Sequence, residues 1–160
     1  MHIEIDYNSD AVVQGIPWYN DEDISIGFKL EMPLRSSAAS SVLVNFLQVM
    51  VDIDGRALYV EGVTHPSSWL LTDASPSSTH KGTLRFIYAF QPGVSVRLTG
   101  PAEWPQYINL RDRWFCIGDR EIKSDDIPIE FASNTVAIIR SRHLVGLWIK
   151  LDNLPRSLGG

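Results

Sequence analysis

Apolar and polar residues alternate with a period of two along much of the chain. Ile24, Ile26, Phe28 and Leu30 are separated by Ser25, Gly27 and Lys29, the pattern of a strand with one buried face. Ile3, Ile5 and Tyr7 alternate with Glu4 and Asp6 in the same way. Ala57 to Val63, Thr83 to Phe90, Val94 to Leu98, Arg113 to Ile117 and Ile127 to Phe131 read as further short strands, with Gln91-Pro-Gly93 as a turn. Thr135 to Ile139 and Leu144 to Leu151 read as a closing hairpin whose loop is Arg140 to His143.

Residues 36–51 break this rhythm. Polar residues recur at Ser37, Ser41, Asn45, Gln48 and Asp52, and Ala38, Ala39, Val42, Leu43, Phe46, Leu47 and Met50 fill the positions between. That spacing is a helical stripe, and Ser36 or Ser37 can cap its start. Val42, Val44, Val49 and Val51 pull the other way, because β-branched residues favour strands. The segment around Gly15 and Pro17 and the Ser/Pro/Thr-rich stretch His65 to Lys81 read as loops, and Pro101 to Arg113 as irregular or briefly helical. Together these elements predict an α+β fold that is mostly β: an antiparallel sheet or sandwich with one main helix near 36–51. Residues 1–154 make a single globular domain in this reading, and Pro155 to Gly160 a frayed tail.

A chain of 160 residues can bury enough surface to fold without a disulfide or a metal. Its one cysteine, Cys116, lies among large apolar residues and reads as a small buried hydrophobe rather than a nucleophile. Met1 to Asp6 shows neither the basic nor the apolar region of a signal peptide, and no stretch has the length of a membrane helix. The expectation is a cytoplasmic protein that does not engage a membrane. The net charge is −5 and the basic residues are scattered, so a nucleic-acid partner is not expected either.

The sharpest chemical motif is Val49-Met-Val-Asp-Ile-Asp-Gly55. An apolar run ending in Asp-x-Asp-Gly resembles the first motif of haloacid-dehalogenase-type phosphatases. The resemblance implies a Mg²⁺-dependent reaction with Asp52 as nucleophile and Asp54 as general acid and base. It further implies Thr99 as a phosphate contact, Gly118-Asp119 or Asp125-Asp126 as metal ligands, and Lys123 or Lys150 as the basic residue. That fold needs helices between parallel strands, whereas residues 57–99 alternate as strands; a plain Asp-Gly turn accounts for the same residues. His2, His65, His80 and His143 show no metal-ligand spacing, and no nucleophile elbow, Walker loop or dinucleotide fingerprint is present. The chain therefore reads as a non-enzyme, without cofactor or metal.

Five tryptophans and five tyrosines are many for this length. Trp18 and Tyr19 precede the carboxylates Asp21, Glu22 and Asp23; Trp104 lies in another predicted loop; Asp119, Asp125 and Asp126 form a second acidic group. Loop aromatics anchor protein interfaces, and carboxylates beside them steer a basic partner. These residues are the candidate partner-binding set. The same aromatics could stack on sugars in a carbohydrate-binding sandwich, or simply cap the ends of the fold. Finally, Glu130-Phe131, Thr135-Val-Ala-Ile-Ile139 and Leu144-Val-Gly-Leu-Trp-Ile149 resemble the closing hairpin of small bacterial immunity proteins. That resemblance implies an intracellular protein that neutralises a toxin domain by binding it, with no individual residue role carried over.

Overall fold

The computed structural model describes residues 1–98 and 102–160; 49% of the chain is strand, and no α-helix occurs among the described residues. The expected α+β fold with a main helix near 36–51 is thus corrected to a nearly all-β protein with three sheets. In chain order the strands are β1 (His2–Asp6), β2 (Gly15–Asn20), β3 (Ser25–Leu30), β4 (Ser40–Val44), β5 (Leu47–Val51), β6 (Ala57–Val63), β7 (Trp69–Leu71) and β8 (His80–Lys81). They continue with β9 (Thr83–Ile87), β10 (Val96–Arg97), β11 (Gln106–Asn109), β12 (Trp114–Gly118), β13 (Ile127–Ala132), β14 (Thr135–Arg140) and β15 (His143–Lys150). One sheet has the order β10-β4-β5-β6-β3-β2, a second β7-β11-β12-β15-β14-β13-β8, and β1 pairs with β9 alone.

The predicted helix fails for a local reason. Asn45-Phe46 is a two-residue turn with Asn45 at φ 53°, and it folds the run into the β4–β5 hairpin, Val44 opposite Leu47. Asn accepts the left-handed conformation that such a turn needs. Val42, Val44, Leu47, Val49 and Val51 then all face inward, none more than 1% exposed. A helix would scatter these side chains around its axis, whereas the strand period gathers them on one face.

Three segments read as loop or irregular also contain strands, His65 to Lys81 holding β7 and β8. β2 carries Pro17, which its edge position tolerates; the chain's C-terminal stretch runs alongside, with Asp152 N–H donating to Pro17 O. β11 lies inside the stretch read as irregular and pairs with β12. The closing hairpin is present as β14–β15, with a tighter turn than expected: Ser141 and Arg142 alone connect Arg140 to His143, at φ 51° and 65°. The predicted frayed tail is instead a short 3₁₀ turn, Arg156–Leu158. Arg156 N–H donates to Asp21 Oδ1 (3.0 Å), and Leu158 packs on the core.

The two large sheets share one core, in which Val49, Val60 and Tyr19 of one meet Phe115, Leu147 and Ile149 of the other. β9 is stitched to the β5–β6 turn by Phe86 N–H donating to Gly55 O (2.8 Å). The seven-stranded sheet is buried on its outer face as well. There Cys116, Val136, Ile138 and Trp148, each 0% exposed, form a second cluster, with Ala74 and Ile122 from two loops packed on it. No helix among the described residues is long and apolar enough to cross a membrane.

Gly55 allows the close approach of β9. It sits at φ 85°, and a Cβ there would stand 2.2 Å from Phe86 O. Gly55→Ala is expected to cost about 2 kcal/mol or more in urea unfolding. A change below about 0.5 kcal/mol would show that this seam is not under steric constraint.

Candidate functional site

Trp104 joins the two large sheets. Its N–H donates to Asn45 Oδ1, and its carbonyl accepts from Asn45 Nδ2, both at 2.9 Å. Its ring lies on Gly118, where a Cβ would come within 2.8 Å of it. Gly118 has φ 102° and ends β12, so the next residues turn away from the sheet. Between them opens a cleft of about 550 Å³, lined by Trp104, Tyr107, Asp119, Arg120, Glu121 and Val145 among others. The Arg120 guanidinium lies 4.8 Å over the Tyr107 ring, a cation–π contact.

The electrostatics behind the cleft are organised by Arg140. Its Nε and Nη2 donate to the two oxygens of Asp126, each at 2.7 Å, and its Nη1 donates to Asp119 Oδ2 at 3.0 Å. The Asp126 side chain is 0% exposed. Hydrogen bonding from Arg140 holds its carboxyl below the usual carboxylate range, and its two carboxylate partners keep Arg140 firmly cationic. Asp119 Oδ1 also accepts from Glu121 N–H (3.0 Å). Asp119 therefore lines the cleft while sharing the Arg140 charge with Asp126, and Glu121 enters no ion pair among the described residues.

An apolar rim borders Trp104. Phe46, next to Asn45, is 64% exposed; Val63 is 53% and Ile24 37% exposed. Strand pairing puts the three together: Leu47 lies opposite Gly62, and Ser25 opposite Val63. The β2–β3 turn follows on directly. Asn20 organises it by accepting from Glu22 N–H and Asp23 N–H and donating to Asp23 Oδ2.

The predicted partner-binding residues separate accordingly. Trp104 and Asp119 line the cleft, and Glu22 and Asp23 stand exposed in the turn beside the rim. Asp21 is engaged by Arg156, and Trp18 lies under Lys29 at 4.7 Å; both border a separate depression, which Glu22 also lines. Asp125 lies elsewhere, with Glu4 and Arg142. Two assignments are corrected. Tyr19 is 2% exposed, donates its hydroxyl to Thr64 O (3.1 Å), and has its phenol pushed up to about 12 by burial and the nearby Asp21. Asp126 is sealed against Arg140. Neither offers a surface to a partner.

Asp52, the expected nucleophile, is 4% exposed. Its carboxylate accepts from Ser36 Oγ (2.7 Å), Asp54 N–H (3.0 Å) and Arg56 N–H (2.9 Å), so it pins the β5–β6 turn. Asp54 is exposed and Lys150 lies 6.0 Å over Trp114; Thr99 is outside the described residues. Among the described residues no three His, Cys, Asp or Glu side chains converge to hold a metal ion. Sequence reasoning missed Phe46, Val63 and Arg120. The usable signal was Asn45, a turn residue between two valine-rich halves, which would have put Phe46 on a hairpin tip. Comparison with protein families and with curated proteins found no match to this chain.

Asp126→Ala removes the buried partner of Arg140 and is expected to cost about 3 kcal/mol at neutral pH. The folded-state pKa of Asp126 is lowered, so its contribution is complete above the unfolded carboxylate range and fades as pH falls toward the folded value. Urea titrations of wild type and variant should therefore converge on acidification. A constant gap between pH 7 and pH 3 would sink this assignment.

Proposed function

We propose that the protein is a binding protein, which anchors a protein partner on the Phe46–Val63–Ile24 rim and takes one of its basic side chains in the Trp104 cleft. The observation that carries this reading is the continuity of the surface. Exposed apolar residues, a half-buried tryptophan and the uncommitted carboxylates of Glu22 and Glu121 adjoin through Asn45 and the strand pairings. Aromatic anchors flanked by exposed carboxylates suit a basic surface, the apolar part supplying affinity and the carboxylates association rate, while the cleft's one cation, Arg120, lies over the Tyr107 ring. A net charge of −5 favours the same class of partner. Sequestering a basic toxin domain is the form this role takes under the immunity-protein resemblance.

The phosphatase reading finds no comparable support, since Asp52 is spent on a turn and the sheets are not of the parallel, helix-covered kind. A carbohydrate is a second reading, favoured by the open Trp104–Tyr107 cleft with its polar wall. It predicts that Trp fluorescence shifts with some member of a glycan panel, and a silent panel removes it.

The protein reading is tested by affinity capture from lysate of the source organism at moderate salt. A single basic protein should be retained by wild type. Phe46→Ser should lose at least about thirtyfold in affinity, the loss of an anchor worth ~2 kcal/mol. Glu121→Lys combined with Glu22→Lys should slow association and flatten its salt dependence. Retention that ignores both changes would move the interface elsewhere, and no retention would end the reading.

A further inference from the structure

The segment between β7 and β8 runs across the outer face of the seven-stranded sheet. β7 and β8 are the two edges of that sheet, six inter-strand gaps apart. Six gaps of about 4.8 Å need about 29 Å, and the steps from Leu71 to His80 reach at most about 32 Å. Residues 72–77 are extended, and the chain bends at Ser78 before it enters β8. Their burial alternates as an extended chain requires, with Thr72, Ala74 and Pro76 half-buried and Asp73, Ser75 and Ser77 exposed. Both ends are fastened: Asn109 Nδ2 donates to Asp73 O (3.2 Å) and Ala74 O (3.1 Å) and Thr72 N–H donates to Ile108 O at one end, and the two-residue β8 pairs with β13 at the other. From Ser75 to Thr79 no hydrogen bond ties the strap down among the described residues.

Beneath it lies a row of side chains in register across four strands: Tyr107, Cys116, Trp148 and Val136. Trp148 is 0% exposed, and its Nε1 is the one buried side-chain nitrogen or oxygen without a hydrogen-bond partner among the described residues. A buried donor left unpaired is costly, and the strap does not relieve it. Tyr107 belongs both to this row and to the Trp104 cleft, so the covered face continues the cleft.

We propose that residues 72–79 are a strap that is displaced when the two-residue β8 comes away from β13, and that the face beneath takes an extended segment of the partner in its place. The segment has small side chains at alternate positions, as the strap does, and a backbone carbonyl that accepts the Trp148 N–H. This rests on the protein-binding reading of the adjoining cleft. The strap shows what the face accepts, because it is itself an extended segment with small inward side chains, held at its far end by only the two-residue β8 and leaving one buried hydrogen bond unmade. Weakly fastened segments of this kind open locally well below the free energy of global unfolding, and a partner that binds the open state shifts that equilibrium.

Cys116 lies in the row and is the only cysteine of the chain, so its thiol reports opening. The experiment uses the full chain and a chromogenic disulfide reagent under native conditions, with global stability measured in parallel by urea. Inserting Gly-Gly-Ser between Ser77 and Ser78 relaxes the strap and should speed Cys116 labelling about tenfold while the urea midpoint holds. A synthetic peptide with the sequence of residues 71–81, added in trans, should slow that labelling again. Trp148→Phe should weaken the peptide's protection about fivefold, the value of one hydrogen bond. Labelling that tracks global unfolding in every variant, or a peptide without effect, overturns the proposal. Failure of the cleft reading looks different: Phe46→Ser would leave partner capture unchanged, with strap labelling and peptide protection intact.

Discussion

The left-handed turn at Asn45 is the constraint on which most of the structure depends. It divides one apolar run into β4 and β5, the centre of the six-stranded sheet, and turns their valines into the core. The same residue then spends its amide on the backbone of Trp104, which arrives from the second sheet's side of the molecule. Core formation and cleft formation are thus one event. Phe46 is exposed because it occupies the second position of that two-residue turn, where a side chain has no sheet face to join.

Much of the β-structure was legible from period-two alternation, and some of the fold was not. β3, β6 and the β14–β15 hairpin lie where their patterns put them, and Cys116 is buried as its neighbours required. Residues 36–51 misled because a hairpin with a two-residue turn shifts the phase of alternation, so that Ser37, Ser41, Asn45 and Gln48 mimic a helical spacing. β2 was hidden by Gly15 and Pro17, which an edge strand tolerates and a central one does not. The candidate site was less legible than the fold. Trp104 and Asp119 lie fifteen positions apart and meet only because Gly118 lets the indole settle on the sheet. Nothing local distinguishes the exposed Glu22 from the sealed Asp126, since that difference is made by Arg140, from a strand far along the chain.

Net charge alone would have treated the acidic groups as equivalent. The structure divides them by partner. Asp126 and Asp119 share one guanidinium, which leaves the trio one net negative charge, and Asp21 is engaged by Arg156. Glu22, Asp23 and Glu121 keep their charge toward solvent or the cleft. An ion-paired carboxylate presents less net charge beyond its own neighbourhood than a free one, so the second group contributes more to the field at its surface.

The outer face of the seven-stranded sheet adds a second constraint. A two-layer sandwich needs one apolar face per strand, yet Val136, Ala137, Ile138 and Ile139 are consecutive and all essentially buried, as are Phe115, Cys116 and Ile117. Such runs require a cover on both sides. No helix among the described residues supplies one, so the duty falls on residues 72–79 and on the loop that carries Ile122. A Ser/Pro/Thr-rich stretch that looks like filler is thus obligatory packing. Its composition suits that duty, because small residues can lie flat across six strand gaps and larger ones would stand off the sheet. A cover made of small residues also gains little from being in place, which is why the same feature that completes the fold leaves this face open to competition.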